Sequence, residues 1–156
     1  MSNITVGIPT HKRPKLLLRS LNSLLKDRHS NIKIVVSIDG IDETYNDYLE
    51  VEKKFSGKKI EFYYHKKNIG SLKNFLFLRD RCSTEYFMWL ADDDEINLLT
   101  IEKLHSILCK DTKATTAVPY WLLYNEKLEK KLIHPSFFDS DSVFKRVLSY
   151  CYNSDD

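Results

Sequence analysis

Residues 86–96 read Tyr-Phe-Met-Trp-Leu-Ala-Asp-Asp-Asp-Glu-Ile, an apolar, strand-like run that passes straight into four consecutive acids. Carboxylates crowded at the exposed C-terminal end of a strand repel one another. They raise the free energy of the fold unless a cation sits among them. Oxygen-only ligands of this kind suit Mg²⁺ or Mn²⁺, which bind through one or two carboxylates together with substrate phosphates. The plainer alternative is an acidic turn that only keeps a loop in solvent. Choosing between the two requires the segments on either side.

Upstream, residues 4–8 form a short apolar run ending at Pro9, the pattern of a buried strand. Pro14 is placed to begin a helix striped by Leu17, Leu21, Leu24 and Leu25. Residues 32–38, Ile-Lys-Ile-Val-Val-Ser-Ile, predict a second strand closed by Asp39-Gly40. Asp42 is placed to cap a helix with Tyr45, Tyr48, Leu49 and Phe55 on its apolar face. A third strand is expected over 60–64, then a helix capped by Ser71 and carrying Leu72, Phe75, Leu76 and Arg79. Downstream of the acids, Leu98, Ile101, Leu104 and Leu108 mark a helix. A strand over 115–123 with a hairpin partner over 131–134 should follow, and Phe144, Val147, Leu148 and Cys151 outline a last short helix.

Strands alternating with helices at these lengths imply an α/β fold with a mostly parallel sheet covered on both faces. Right-handed crossovers bring the strand-end loops to one rim, where ligands bind in such sheets. Residues 10–13, 39–42 and 92–95 should therefore converge. Asp39 could accept a hydrogen bond from a base N–H or a ribose hydroxyl, or it could serve only as half of an Asp-Gly turn. His11, Lys12 and Arg13 place cations beside the first strand end, and Arg13 is best suited to forked phosphate contacts. The run Asn68-Ile69-Gly70-Ser71 could present backbone N–H groups to an anion at a helix start, or be a capped turn.

The chain has 156 residues and a net charge of +2, enough for a real core and too balanced to imply a nucleic-acid partner. No apolar run is long enough to span a bilayer, and polar Ser2 and Asn3 lead into the first strand without a signal peptide. Three scattered cysteines (Cys82, Cys109, Cys151) fit reduced thiols in a cytoplasmic protein. No His-Glu-x-x-His, Cys/His cluster or Gly-x-Ser-x-Gly elbow is present, and four glycines leave no Gly-rich phosphate loop. Trp121 and Tyr124 are open to two readings, core packing or a sugar-stacking surface.

Four segments in order resemble family-2 glycosyltransferases of the GT-A fold. These are Ile4-Thr5-Val6-Gly7-Ile8-Pro9-Thr10-His11-Lys12-Arg13-Pro14, then Val35-Val36-Ser37-Ile38-Asp39-Gly40, then Asn68-Ile69-Gly70 with Asn74, and last Leu90-Ala91-Asp92-Asp93-Asp94. The resemblance covers roughly residues 3–110. It implies a Rossmann-like three-layer α/β/α fold, in which residues 1–118 form a nucleotide-sugar-binding half and 119–156 begin an acceptor-side region within one truncated domain. It also implies a nucleotide-diphosphate sugar donor, UDP-linked, with Mn²⁺ or Mg²⁺ as cofactor.

By that resemblance Pro9, Thr10 and Asp39 hold base and ribose, while Arg13, Asn68, Gly70, Asn74, Asp92 and Asp93 complete the donor site. Asp92 and Asp94 form an Asp-x-Asp metal motif, and Ala91, where many relatives carry an acid, leaves its register open by one. The implied reaction is inverting transfer to a hydroxyl on a surface glycan or lipid-linked acceptor. It needs a carboxylate base, for which Asp139, Asp141 and Asp155 are the candidates, although Asp141 also suits a helix cap. A donor-binding module without turnover is the rival reading. A nucleotidyltransferase is weaker, since it usually carries a Gly-rich loop after the first strand.

Overall fold

The computed structural model describes residues 4–25, 32–111, 113–119, 121–124 and 130–133. Along them run β1 (Ile4–Thr10), α1 (Pro14–Leu24), β2 (Ile32–Ile38), α2 (Tyr45–Lys54), β3 (Ile60–Tyr64), α3 (Ser71–Asp80) and β4 (Tyr86–Trp89). These are followed by α4 (Leu98–Lys110), β5 (Trp121–Tyr124) and β6 (Lys130–Ile133). The chain divides into two compact units, Met1–Lys103 and Leu104–Asp156.

In the first unit the strands form an all-parallel sheet in the order β3-β2-β1-β4. Two crossovers step from β1 to β2 to β3 in one direction, and the third returns past both to β4. Right-handed connections then put α3 on the face opposite α1 and α2, which gives three layers. The packing agrees, with α1 against α2 and α3 against β1 and β2. The reversal makes the gap between the ends of β1 and β4 the topological switch point, where ligands bind in open α/β sheets.

The two faces of the sheet differ. Toward α1 and α2, β1 presents Ile4, Val6 and Ile8, and β2 presents Ile32, Ile34, Val36 and Ile38. Leu17, Leu21 and Leu24 of α1 and Tyr48, Val51 and Phe55 of α2 pack onto them. Burying each such aliphatic side chain is worth about 1.5–3 kcal/mol, so this face supplies most of the core's stabilisation. Toward α3 the contacts are tighter and more polar. Ser37 Oγ donates to Asn74 Oδ1 at 2.5 Å, and Asn74 Nδ2 donates back to the Ser37 carbonyl at 3.1 Å. A Cβ on Gly7 would come within 2.9 Å of the Phe87 ring, so the close approach there depends on glycine.

Several boundaries depart from the expectations. β1 continues through Pro9 to Thr10. Its pairing with β4 ends at Gly7–Trp89, so Pro9 lies on a locally open edge on that side, where a missing N–H costs nothing. On α2, Leu49 is exposed and Val51 is buried instead. Asp42 accepts from Thr44 N and Thr44 Oγ1, shaping the turn before the helix, whose cap position is Thr44. On α3, Leu72 is 73% exposed while Asn74 and Leu78 point inward, and the cap position is Gly70, one residue before Ser71. The inward face of α3 is chosen by the Ser37–Asn74 pair, which an apolar stripe does not reveal.

In the second unit β5 and β6 pair antiparallel from Trp121↔Ile133 to Tyr124↔Lys130. The strand expected over 115–123 is thus shorter and later, with 114–119 irregular. The expected last helix lies outside the described residues. Among the described residues no helix is long and apolar enough to cross a membrane.

Candidate functional site

Thr10 ends β1, Asp39 follows β2, and Asp92 follows β4, so the parallel order carries all three to one rim. The rim is interlocked. Asp39 N donates to the Thr10 carbonyl at 2.9 Å, extending the β1–β2 ladder one residue beyond the strands. Thr10 Oγ1 donates to Asp92 Oδ2 at 2.6 Å, across the switch point. Asp92 is fully buried. Burial pushes its carboxyl above the usual range, a rise opposed by the Thr10 hydrogen bond and the Arg13 charge.

Arg13 and Arg19, both from α1 and its start, hold the acidic turn. Arg13 Nη2 lies 2.7 Å from Asp92 Oδ1, and Arg13 Nη1 donates to Asp93 Oδ2 at 3.0 Å. Arg19 Nη2 donates to the Asp93 carbonyl at 2.6 Å, and Arg19 Nε lies 3.0 Å from Glu95 Oε1. The acids therefore do not depend on an external cation for all of their compensation, as the sequence alone implied. Arg13, expected to face phosphate, instead has its guanidinium on two aspartates. Lys12, held at φ 56°, donates to Glu43 Oε1 at 3.0 Å. His11 Nδ1–H donates to the Asp39 carbonyl at 2.6 Å, which leaves Nε2 as an acceptor.

The loop before α3 belongs to the same rim. Ile69 N donates to Asp39 Oδ1 at 2.6 Å, and the loop lies against Gly40, where a Cβ would meet Asn68 N at 3.0 Å. Gly40 also sits at φ +101°, so two constraints require glycine there. Gly70 N donates to Asn68 Oδ1 at 2.9 Å. The N–H groups of residues 69 and 70 are thus already engaged, and the segment ties Asp39 to α3 rather than standing open as an anion cradle. Asn74 is buried with its amide engaged by Ser37, so it seats α3 and does not face the rim. Pro9 is buried within β1. Asp39 Oδ2 makes no hydrogen bond among the described residues. Asp139, Asp141 and Asp155 lie outside the described residues.

The turn can be tested for its fit to a divalent ion. Four acids at 92–95 against two arginines leave a formal charge of −2. Asp92 Oδ1 is buried without an aligned donor, since the Arg13 contact is one of charge rather than of N–H direction. The exposed Asp94 carboxylate makes no hydrogen bond or ion pair among the described residues. Desolvation and then the neighbouring Asp93 raise its pKa, which Arg19 partly counters. Among the described residues, no three His, Cys, Asp or Glu side chains form a metal-ligating group. The donor set therefore fits a hard cation held by one or two carboxylates whose shell phosphates complete, and it does not fit an all-protein cage.

Two side chains that hold this rim escaped the sequence reading. Tyr48 looked like one more apolar residue on α2, yet its hydroxyl contacts Thr10 Oγ1 and accepts from Arg13 N, both at 2.9 Å. Arg19 gave no signal, because its partners lie more than seventy residues away. A depression of about 370 Å³ lined by Lys33, Lys58, Lys59, Ile60 and Glu61 lies instead at the N-terminal ends of β2 and β3, on the opposite rim.

A three-layer parallel sheet with carboxylates gathered at its switch point defines a Rossmann-like α/β protein of the GT-A type. The chain belongs to glycosyltransferase family 2: the model of Glycosyl transferase family 2 matches residues 5–152, a longer stretch than the motifs alone suggested. It is 30% identical over 150 residues to an uncharacterized glycosyltransferase of Rickettsia bellii, covering 96% of this chain and 21% of that one. It is 33% identical over 95 residues to a processive diacylglycerol beta-glycosyltransferase of Mycoplasma genitalium, covering 60% and 28%. Among solved structures, S. aureus TarS 1–349 in complex with UDP-GlcNAc superposes with a TM-score of 0.61 at 20% identity, covering 69% of this chain and 31% of that one. A Pyrobaculum calidifontis mannosyltransferase in complex with GDP-Man and Mn²⁺ gives 0.60 at 12% identity, covering 68% and 32%. The chain thus spans between about a fifth and a third of the length of these relatives.

Proposed function

We propose that this chain is the donor-binding part of an inverting, metal-dependent glycosyltransferase that takes a UDP-linked sugar and transfers it to a hydroxyl on a surface glycan or lipid-linked acceptor. We place it in the cytoplasm, peripheral at the inner membrane face. The observation that carries the reading is the 2.6 Å Thr10–Asp92 bond, which ties the ends of β1 and β4 together at the switch point, beside Asp39. Relatives solved with UDP-GlcNAc and with GDP-Man and Mn²⁺ share this fold and support a nucleotide-sugar donor.

Each residue's part follows from its surroundings. Asp39, with one oxygen on Ile69 N and the other without a partner, accepts from a base N–H or a ribose hydroxyl. His11, bonded to the Asp39 carbonyl, and Asn68 beside it flank that position, and Pro9 and Thr10 lie on the neighbouring strand end. Asp94 is the carboxylate best placed to hold a divalent ion, and Asp92 stands behind it as the buried anion that the fold compensates in part. When bound, such an ion neutralises charge gathering on the departing diphosphate. Arg13 is half exposed and stands between Asp92 and Asp93, within reach of the same charge. A downstream carboxylate takes the proton of the acceptor hydroxyl.

The test is a thermal-shift and calorimetric comparison of UDP, GDP and their sugars, with and without Mn²⁺, on the 156-residue chain. A ligand at about 100 times its Kd stabilises the fold by about 2.7 kcal/mol, well within reach of a melting scan. UDP should raise the melting temperature only with metal present, and more than GDP does. If no nucleotide shifts melting with Mn²⁺, the donor reading is wrong. Donor hydrolysis assayed alongside separates a transferase from a binding module.

A further inference from the structure

The hydroxyls at the rim have a fixed direction, which follows from counting protons. Thr10 has one hydroxyl proton, and it goes to Asp92 Oδ2 at 2.6 Å. In the 2.9 Å contact between Thr10 Oγ1 and the Tyr48 hydroxyl, Tyr48 is therefore the donor. The Tyr48 oxygen in turn accepts the Arg13 backbone N–H at 2.9 Å. The result is a one-way chain, Arg13 N–H to Tyr48 to Thr10 to Asp92, that crosses the start of α1, the middle of α2, the end of β1 and the turn after β4. Tyr48 is 1% exposed, so no solvent replaces its hydroxyl if it is lost.

We infer that Tyr48 is a positioning residue for Asp92: acting through Thr10, it fixes the rotation of that carboxylate, keeping Oδ2 on Thr10 and Oδ1 toward Arg13. Its use in donor binding rests on the function proposed above. Without the Tyr48 donor, the Thr10 oxygen keeps an unmet lone pair and the Arg13 N–H loses its acceptor. The Thr10 rotamer is then no longer determined, and Asp92 turns with it. Phenylalanine would preserve the packing of the ring in the core, so packing and positioning are separable at this residue.

The experiment uses Tyr48→Phe, Thr10→Val and the double variant, with Val51→Ala on the same helix as a control for lost stability alone. UDP binding with Mn²⁺ is measured by calorimetry, and unfolding is measured in urea. Tyr48→Phe should weaken UDP binding roughly three- to tenfold, the effect of one hydrogen bond, while Val51→Ala stays within about twofold. The double variant should lose less than the two single losses combined, because the effect of Tyr48 on Asp92 passes through Thr10 and only its bond to Arg13 N–H is separate. Additive losses, or wild-type affinity in Tyr48→Phe, overturn the inference. If the wild-type chain binds no UDP, the donor reading fails on that result alone. Urea then decides the relay: sub-additive destabilisation in the double variant supports it, and additive destabilisation overturns it.

Discussion

Asp92 and Asp94 sit two residues apart on one turn, in opposite surroundings. Asp92 is fully buried, bonded to Thr10 and faced by Arg13, and it ties β1 to the end of β4. Asp94 is exposed, and its carboxylate has no partner among the described residues. Both have raised pKa values, with desolvation as the leading cause. Asp92 is compensated in part, by Thr10 and Arg13, and can be read as part of the fold. Asp94 is uncompensated and can be read as part of the site. An Asp-x-Asp motif treated as two equal metal ligands hides that division.

The largest effect should come from Asp92→Ala. In the structure, removal strips Thr10 of its acceptor and Arg13 of its buried partner. Leaving the buried Thr10 hydroxyl without its acceptor costs about 1–3 kcal/mol, and the lost contact with the half-exposed Arg13 adds to it. A urea midpoint well below wild type is expected, and an unchanged one would mean that Asp92 is not the tie described here. Arg13→Ala should come next, at about 1–2 kcal/mol, because its pair is half exposed and Thr10 still serves Asp92.

Asp94→Asn should reverse the pattern. Its stability should stay within about 0.5 kcal/mol of wild type, as for an exposed charge without a partner. The Mn²⁺-dependent part of UDP binding should weaken about tenfold or more, the equivalent of roughly 1.4 kcal/mol. Metal-dependent binding that survives Asp94→Asn and disappears in a folded Asp92 variant would invert the assignment.

The same contrast explains what the sequence made legible. β2 was read to the residue, because five of its seven residues are Ile or Val and both of its neighbours are strands. The convergence of Thr10, Asp39 and Asp92 was also readable, since it follows from strand order and crossover hand. Pro9 misled, because a proline ends a strand only where the neighbour its nitrogen faces needs an N–H donor. Leu72 misled because the inward face of α3 is set by its Asn74 meeting Ser37 of the sheet, and Leu49 misled because helical periodicity alone does not say which face of α2 meets the strands. The arginine clamp and the Tyr48 hydroxyl were out of reach, since each depends on a partner brought close only by tertiary packing. Composition showed the crowded acids, but not the two cations that α1 brings to them.

The smallest effect is also the one whose sign is most constrained. A carboxyl whose folded pKa lies above its unfolded value binds more protons in the folded state over the interval between the two. Stability therefore falls as pH rises through that interval, and at neutral pH the ionised group carries a net cost. Asp94 is such a group, because desolvation and then Asp93 raise its pKa and Arg19 only partly offsets them. Asp94→Asn removes the cost, so it should melt slightly above wild type at pH 7. The gap should close as pH falls through the folded pKa and vanish below about pH 4, where the unfolded carboxyl is protonated too. Asp42 and Glu61 shift downward, Asp42 through hydrogen bonds from Thr44 and Glu61 through Lys33, and so they lose their stabilisation on acidification in both proteins. Their effect cancels in the difference, which is why the comparison is made between the two proteins at each pH. Added Mn²⁺ should stabilise the wild type at pH 7 and leave Asp94→Asn unmoved. A variant that melts below wild type at neutral pH would mean that Asp94 has a partner in the folded protein and is not the free ligand of the turn.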